Sequence, residues 1–425
     1  GTYSTGGGIG GMRLRRKRGC DTMRTKGIWK RKGVGKIMSL RKLTRDLAFI
    51  GAFSVGLFGP ASYFYASMPI VQAEAQMNAA AQPYQKQISE AIHAKNWSSA
   101  IDLCTKALAL DDKSALLYRM RGALYCEQKD FDNAIADLQK AISLNPKDVK
   151  ARTLLGRLYG NLKKYDLALQ EFNSILSLEP KNAQALMYKG VAYAAPGDYK
   201  VAIANYEKAL AIAPDNATIY MNRGLAYANL KQYDLAMADY DKAIALKPDA
   251  AVMYYSRGNT FAHVGKYDDA VNDYTKAISL KTDYVEAYNN RGIAYRHLKK
   301  YDQSLADYNK AISLNAEYEK PYNNRGDLYE ETGKYDLALA DFNKSLSLNP
   351  EYDQAYSGRG LVYLDLGKYD EALRDLNHAI QINPNFDEAY GYRAKAYQKI
   401  GDKDNARKDA EKALQLNKDN EQAAE

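Results

Sequence analysis

Residues 285–318 read VEAYNNRGIAYRHLKKYDQSLADYNKAISLNAEY, and the tripeptide inside them, Asn290-Arg291-Gly292, returns as Asn222-Arg223-Gly224 and as Asn324-Arg325-Gly326. The three copies lie at multiples of 34 residues, the mark of one supersecondary unit copied along a chain. In the frame they set, ten units follow without an insertion: 81–114, 115–148, 149–182, 183–216, 217–250, 251–284, 285–318, 319–352, 353–386 and 387–420. Position 8 is Gly in eight units, from Gly122 to Gly360, and position 20 is Ala in nine, with Ser304 the exception. Position 4 is Tyr in eight units and position 11 aromatic in nine, which accounts for much of an unusual aromatic balance, 36 Tyr beside 9 Phe and 2 Trp.

Positions 4, 8 and 11 share one stripe of a 3.6-residue helix, so the first half of each unit is predicted to be an amphipathic helix. An aromatic at position 17 opens a second helix that buries positions 20, 24 and 27, for example Ala236, Tyr240 and Ala243. The Asp that usually follows, as in Tyr233-Asp234 and Tyr267-Asp268, is expected to cap free N–H groups there and to meet the positive end of the helix dipole. Position 32 is Pro in six units, Pro146, Pro180, Pro214, Pro248, Pro350 and Pro384, and ends the second helix. One hairpin cannot enclose its own apolar stripe, so the units must stack into an all-α solenoid.

An aromatic at position 4, Gly at 8, Tyr at 11, Ala at 20, an aromatic at 24, Ala at 27 and Pro at 32 together resemble the tetratricopeptide repeat, or TPR, family, over residues 81–420. The resemblance implies a right-handed superhelix of tandem antiparallel helix pairs, the first helix of each pair lining a concave groove. Departures are local: Ile88 and Ala394 replace the Gly in units 1 and 10, and Thr282 and Ala316 replace the Pro in units 6 and 7; the end units are the least regular, as capping repeats should be.

Position 7, usually apolar in that family, is Arg in seven units: Arg121, Arg223, Arg257, Arg291, Arg325, Arg359 and Arg393. Position 23 is Asp in the same seven, and where the Arg is absent the partner departs as well, as Gln87 with Leu103 and Lys189 with Asn205. Unit 3 is half an exception, with Leu155 and Glu171. Charges matched this systematically are expected to pair with each other and fix the stacking register, in preference to forming a ligand-binding arginine row.

If the family geometry holds, positions 2, 5, 6, 9, 12 and 13 line the groove. The candidate binding residues are Asn222, Tyr255, Asn259, Asn290, Arg296, Lys320 and Asn324, flanked by Ser256, Asn289, Asn323, Asp327 and Glu330. An Asn amide both donates and accepts, so a row of them can pair with the main chain of an extended peptide of any sequence. The row is similar to the asparagine ladder of some TPR proteins. It matches a dicarboxylate clamp only in part: Asn259, Asn290 and Lys320 fit, but Tyr255 and Asn324 stand where two of its cations belong.

No catalytic constellation, metal site or cofactor motif is found. His93, His263 and His297 share position 13 and read as solvated helix ends, with no pair at the i, i+4 spacing of a helical metal site. Cys104 and Cys126 lie on neighbouring helices and are open to two readings, a disulfide or two buried thiols.

The net charge of +9 is concentrated at one end: residues 1–46 hold 14 Lys and Arg against Asp21 and Asp46, leaving 46 basic and 49 acidic residues in the rest. The repeat array therefore lacks the clustered cations that nucleic-acid binding needs. The first residue is Gly, and Met12, Met23 and Met38 are possible starts. Residues 1–37 read as a basic, Gly-rich leader or disordered tail, and residues 38–75 as a signal peptide: Arg41, Lys42 and Arg45, then an apolar stretch near Leu47–Phe58, Pro60, and A-x-A spacing with cleavage after Ala73 or Ala75. A membrane anchor over residues 47–71 is the alternative, which Gly51, Gly56, Gly59, Pro60 and Pro69 disfavour. Residues 421–425 are a C-terminal tail.

The expectation is a non-enzymatic scaffold, periplasmic or secreted, that binds a protein or peptide in its groove. Alternatives are a structural component of an envelope assembly and an accessory subunit of a separate enzyme. Membrane contact is expected only if the N-terminal segment is uncleaved.

Overall fold

A computed structural model describes residues 78–422, with side chains to Asn417; the expected leader, signal segment and anchor lie outside the described residues. The described residues hold twenty α-helices, two per 34-residue unit. They are α1 (Gln82–His93), α2 (Trp97–Leu110), α3 (Ala115–Glu127), α4 (Phe131–Leu144), α5 (Val149–Asn161), α6 (Tyr165–Leu178), α7 (Ala183–Ala194), α8 (Tyr199–Ile212), α9 (Ala217–Asn229) and α10 (Tyr233–Leu246). Then come α11 (Ala251–His263), α12 (Tyr267–Leu280), α13 (Val285–His297), α14 (Tyr301–Leu314), α15 (Glu319–Glu331), α16 (Tyr335–Leu348), α17 (Asp353–Asp365), α18 (Tyr369–Ile382), α19 (Asp387–Ile400) and α20 (Lys403–Gln422). The last helix runs two residues into the expected tail. By packing, the described residues form two compact units, 78–328 and 329–422, divided within α15. Inside each unit, odd-numbered helices pack on the helix that follows and on the one that precedes. The all-α class of tandem antiparallel pairs is as the periodicity predicts.

The close approach of the two helices explains position 8. A Cβ at Gly190 would stand 2.5 Å from the Tyr206 ring, and one at Gly292 2.7 Å from Tyr308. The aromatic at position 24 of the second helix thus fills the space a side chain would need. The end units confirm the exchange of volume. Where Ile88 replaces Gly, position 24 is the small Cys104, and where Ala394 replaces it, position 24 is Ala410, all four buried. Ser304, the one substitute at position 20, is fully buried and donates to the Gly292 carbonyl at 2.8 Å.

Position 15, in the turn between the helices, has positive φ in all ten units: Lys95, Lys129, Lys163, Lys231 and Lys299 at 55° to 62°, and Gly197, Gly265, Gly333, Gly367 and Gly401 elsewhere. The expected Asp caps are corrected. Asp234 and Asp268 sit inside the first turns of α10 and α12, where they meet the dipole, while the cap residues Gln232 and Lys266 make no side-chain cap bond. The second helix begins at the aromatic itself, one residue ahead of the Asp, so the capping position falls on the residue before the aromatic.

Candidate functional site

The systematic Arg–Asp matching is realised as paired side chains. Six pairs are bidentate, Arg121–Asp137, Arg223–Asp239, Arg257–Asp273, Arg291–Asp307, Arg359–Asp375 and Arg393–Asp409, with Nε to Oδ2 at 2.6–2.8 Å and Nη2 to Oδ1 at 2.8–2.9 Å. The remaining guanidinium nitrogen reaches back to the preceding pair of helices, from Arg291 to Thr275 at 3.0 Å, from Arg359 to Asn343 at 2.6 Å and from Arg257 to Asp241 at 2.5 Å. Arg257, Arg291 and Arg359 therefore each tie their own hairpin closed and hold it to the unit before.

Tyrosines at positions 4 and 11 flank the guanidinium, as Tyr288 at 5.6 Å and Tyr295 at 5.7 Å flank Arg291. Unit 3 keeps the pair by moving its cation: Arg152, at position 4, donates to Glu171 at 2.9 Å. In unit 4, Asn205 bonds its own helix at Val201. Arg and carboxylate are mutually satisfied, so this row is structural.

The candidate groove residues lie on the first helices, and the structure brings four of the seven into one network. Asn290 Nδ2 donates to Asn259 Oδ1 at 2.9 Å and to the Tyr255 hydroxyl at 3.1 Å. Tyr274, from α12, donates to the same Asn259 oxygen at 2.8 Å. Asn289 Nδ2 donates to Asn290 Oδ1 at 3.1 Å, Asn324 Nδ2 to Asn289 Oδ1 at 2.9 Å, and Asn323 Nδ2 to Asn324 Oδ1 at 3.4 Å. Between helices the donors point one way, from α15 to α13 and from α13 to α11, while within α15 and α13 Asn323 and Asn289 each donate to the residue that follows. The expected free row is corrected on this point: adjacent amides at positions 5 and 6 reach each other across units and bond before any peptide does. At the donating end, Asn323 Oδ1 is buried with no hydrogen-bond partner.

Arg296 and Lys320 stand beside this network, and Asn222 stands apart from it. Arg296 forms an ion pair with Asp327 at 3.4 Å, both buried. Lys320 is half-buried at the start of α15, and Asn222 is half-buried on α9, one unit before the network begins. The neighbouring wall on α7 and α9 has different chemistry at the groove positions, with Met187, Val191, Met221 and Leu225. Tyr274 is the network member that sequence reasoning missed. Position 24 marks it as a core aromatic, and its hydroxyl reaches the groove amide of Asn259.

The histidines are not solvated ends as a group. His93 is exposed and bonds the Ser89 carbonyl, but His297 stacks on Tyr267 at 4.7 Å and His263 lies 5.8 Å from Tyr233. Burial, and then the charge of Lys231, hold the His263 imidazole below its usual range. The aromatic of the preceding unit's position 17 reaches position 13, a contact invisible in a single unit. Cys104 and Cys126 are buried free thiols, each pushed up to about 12 by burial. Among the described residues, no group of three or more His, Cys, Asp or Glu could hold a metal ion, and no helix is long and apolar enough to cross a membrane.

Tetratricopeptide repeat family models match residues 125–190, 190–257, 258–298, 285–318, 320–352, 354–386 and 387–420. The chain belongs to the tetratricopeptide repeat family. The helix pair α1 and α2 precedes the matched residues. No curated protein matches the chain. Among solved structures, a tetratricopeptide repeat protein from Parabacteroides merdae is similar at 18% identity, over 55% of this chain and 93% of its own, with a TM-score of 0.49. MamA is similar at 26% identity over 38% of this chain and 94% of its own, with a TM-score of 0.34. YrrB, described as a TPR protein with an unusual peptide-binding site, is similar at 25% identity over 43% of this chain and 95% of its own, with a TM-score of 0.35.

Proposed function

We propose that the chain is a non-catalytic scaffold that holds an extended protein segment along the first helices of units 5–8, with Asn222, Tyr255, Asn259, Asn290, Arg296, Lys320 and Asn324 as the binding residues. The observation that carries this reading is the amide network. It runs over three consecutive first helices and gathers Tyr255, Asn259, Asn290 and Asn324 into one polar strip along which a bound segment would lie.

The test selects dodecapeptides from a random display library on the full chain and asks where they crosslink. A photo-crosslinking residue at position 222 should capture the selected peptide, and one at the exposed position 235, on a second helix, should not. Failure to select any peptide, or capture at 235 alone, overturns the groove reading.

The same proposal places the protein outside the cytoplasm, with the first residue of the mature chain at Glu74 or Gln76. Support comes from the order of cationic, apolar and A-x-A segments after Met38. N-terminal sequencing of the protein recovered from its producing cells checks it, and a product starting at Met38 overturns it.

A further inference from the structure

The groove has an aromatic corner at the start of α13. Tyr284, the residue on which α13 begins, lies 4.9 Å from Tyr255, ring centre to ring centre, with the planes at 37°. Tyr255 in turn lies 6.0 Å from Tyr274 at 48°. Asn290 donates to the Tyr255 hydroxyl, and the Tyr274 hydroxyl donates to Asn259, so the rings are held by the amide network and cannot turn freely.

Two carboxylates border this corner, Glu286 in the first turn of α13 and Glu319 in the first turn of α15. Burial above all pushes the Tyr284 and Tyr318 phenols up; Tyr255 and Glu286 add to the shift in both, and Glu319 adds to it in Tyr318. The two glutamates and the rings therefore share one electrostatic neighbourhood. A cation already uses it: Lys281 Nζ sits 4.6 Å over the Tyr284 ring.

We infer that this corner receives a cationic side chain, Lys or Arg, from the protein segment bound in the groove, and so sets the specificity of the site. This rests on the groove reading proposed above. An aromatic face attracts a cation through its quadrupole, most strongly where water is excluded, and Glu286 and Glu319 supply the compensating charge. Tyr284 is buried and Lys281 exposed, so entry lies along the ring face that Lys281 covers. The long stem of Lys281 lets its ammonium swing into solvent and yield that face. A guanidinium, planar and weakly hydrated, stacks there better than the ammonium it displaces.

The dodecapeptides selected on the full chain provide the probe. Each selected peptide is resynthesised with its basic residue replaced by norleucine, and both forms are titrated against the wild type and four variants. Wild type should lose about tenfold in affinity on the norleucine exchange. Tyr284→Leu and Glu286→Gln should bind both forms alike, at the weaker level. Tyr284→Phe keeps the ring face and should keep the preference. Lys281→Ala, a change at an exposed residue that leaves the fold intact, should tighten the basic form by removing its internal competitor.

Selected peptides without a basic residue, or a preference that survives Tyr284→Leu, overturn this inference while the groove reading stands. An unchanged or weaker affinity in Lys281→Ala overturns it as well. If no peptide is selected at all, the groove reading fails and the inference fails with it.

Discussion

Seven of the first helices begin in one of two ways, and the place where one gives way to the other is also where the groove changes character. In α3, α5, α7 and α9 the helix starts after Ser114, Asp148, Asn182 and Asn216, whose side chains each accept a hydrogen bond from a backbone N–H of the first turn. In α13, α17 and α19 the same position holds Tyr284, Tyr352 and Phe386, which make no cap bond. Tyr284 and Phe386 are buried instead, at 5% and 1% exposure. A polar cap is worth ~1 kcal/mol, whereas burying a large apolar side chain is worth ~1.5–3 kcal/mol, so the aromatic more than offsets the lost cap. The backbone is nearly the same in both groups, which teaches that the unit fixes the geometry and leaves its means of support open. Only the aromatic version projects a ring toward the neighbouring groove wall, as Tyr284 does to Tyr255.

The largest expected effect concerns what the two regions share. Arg291→Ala or Asp307→Ala alone should cost on the order of 3–5 kcal/mol, because each leaves a desolvated charge behind, and the double variant should cost less than the sum. Urea melts of the four proteins give the coupling. Additive losses would mean that Arg291 and Asp307 do not act as one pair.

A cap exchange tests the comparison itself. Tyr284→Ser installs the polar cap of the earlier units at the cost of the buried ring, and a net loss of about 0.5–2 kcal/mol is expected, the burial term less the gained cap. Asn216→Ala should lose about 1 kcal/mol, and Asn216→Tyr should fail to recover it, since α9 has no ring opposite comparable to Tyr255. Equal losses for Tyr284→Ser and Tyr284→Ala would show that no cap forms there.

The smallest effect is a pH dependence confined to one histidine. The His263 imidazole is held below its usual range in the folded chain by burial and by Lys231, so folding favours the neutral ring. Its contribution is therefore fully present above the unfolded pKa of roughly 6.5 and is lost as pH falls from there toward the lower folded pKa. His263→Gln should flatten melting temperature against pH over that window. A wild-type profile identical to the variant's would remove the assignment.

Much of the fold was legible because side chains that must fit together vary together within one chain. The pairing of positions 7 and 23 is legible in seven matched units and their exceptions, and in unit 3 Arg152 takes the missing Arg's place on Glu171. The turn conformation at position 15 was hidden. Only Gly and Lys occupy it, but Lys carries no preference for positive φ, so residue type did not announce the backbone. The site was half legible. Asparagine-rich positions pointed to the groove, yet their mutual bonds join different units, and no pattern inside one unit shows whether an amide meets its neighbour or a ligand.

By itself the sequence determined the period, the two helices of each unit, the all-α class and the charge ladder, because these follow from spacing along one helix and from matched residues 16 apart. The tertiary structure alone decided that Tyr274 joins the amide network, that His263 and His297 lie against tyrosines of the unit before, and that Lys281 covers the Tyr284 face. Those contacts depend on how far each unit rotates on the last, and that rotation is set by the packed volumes of many side chains at once.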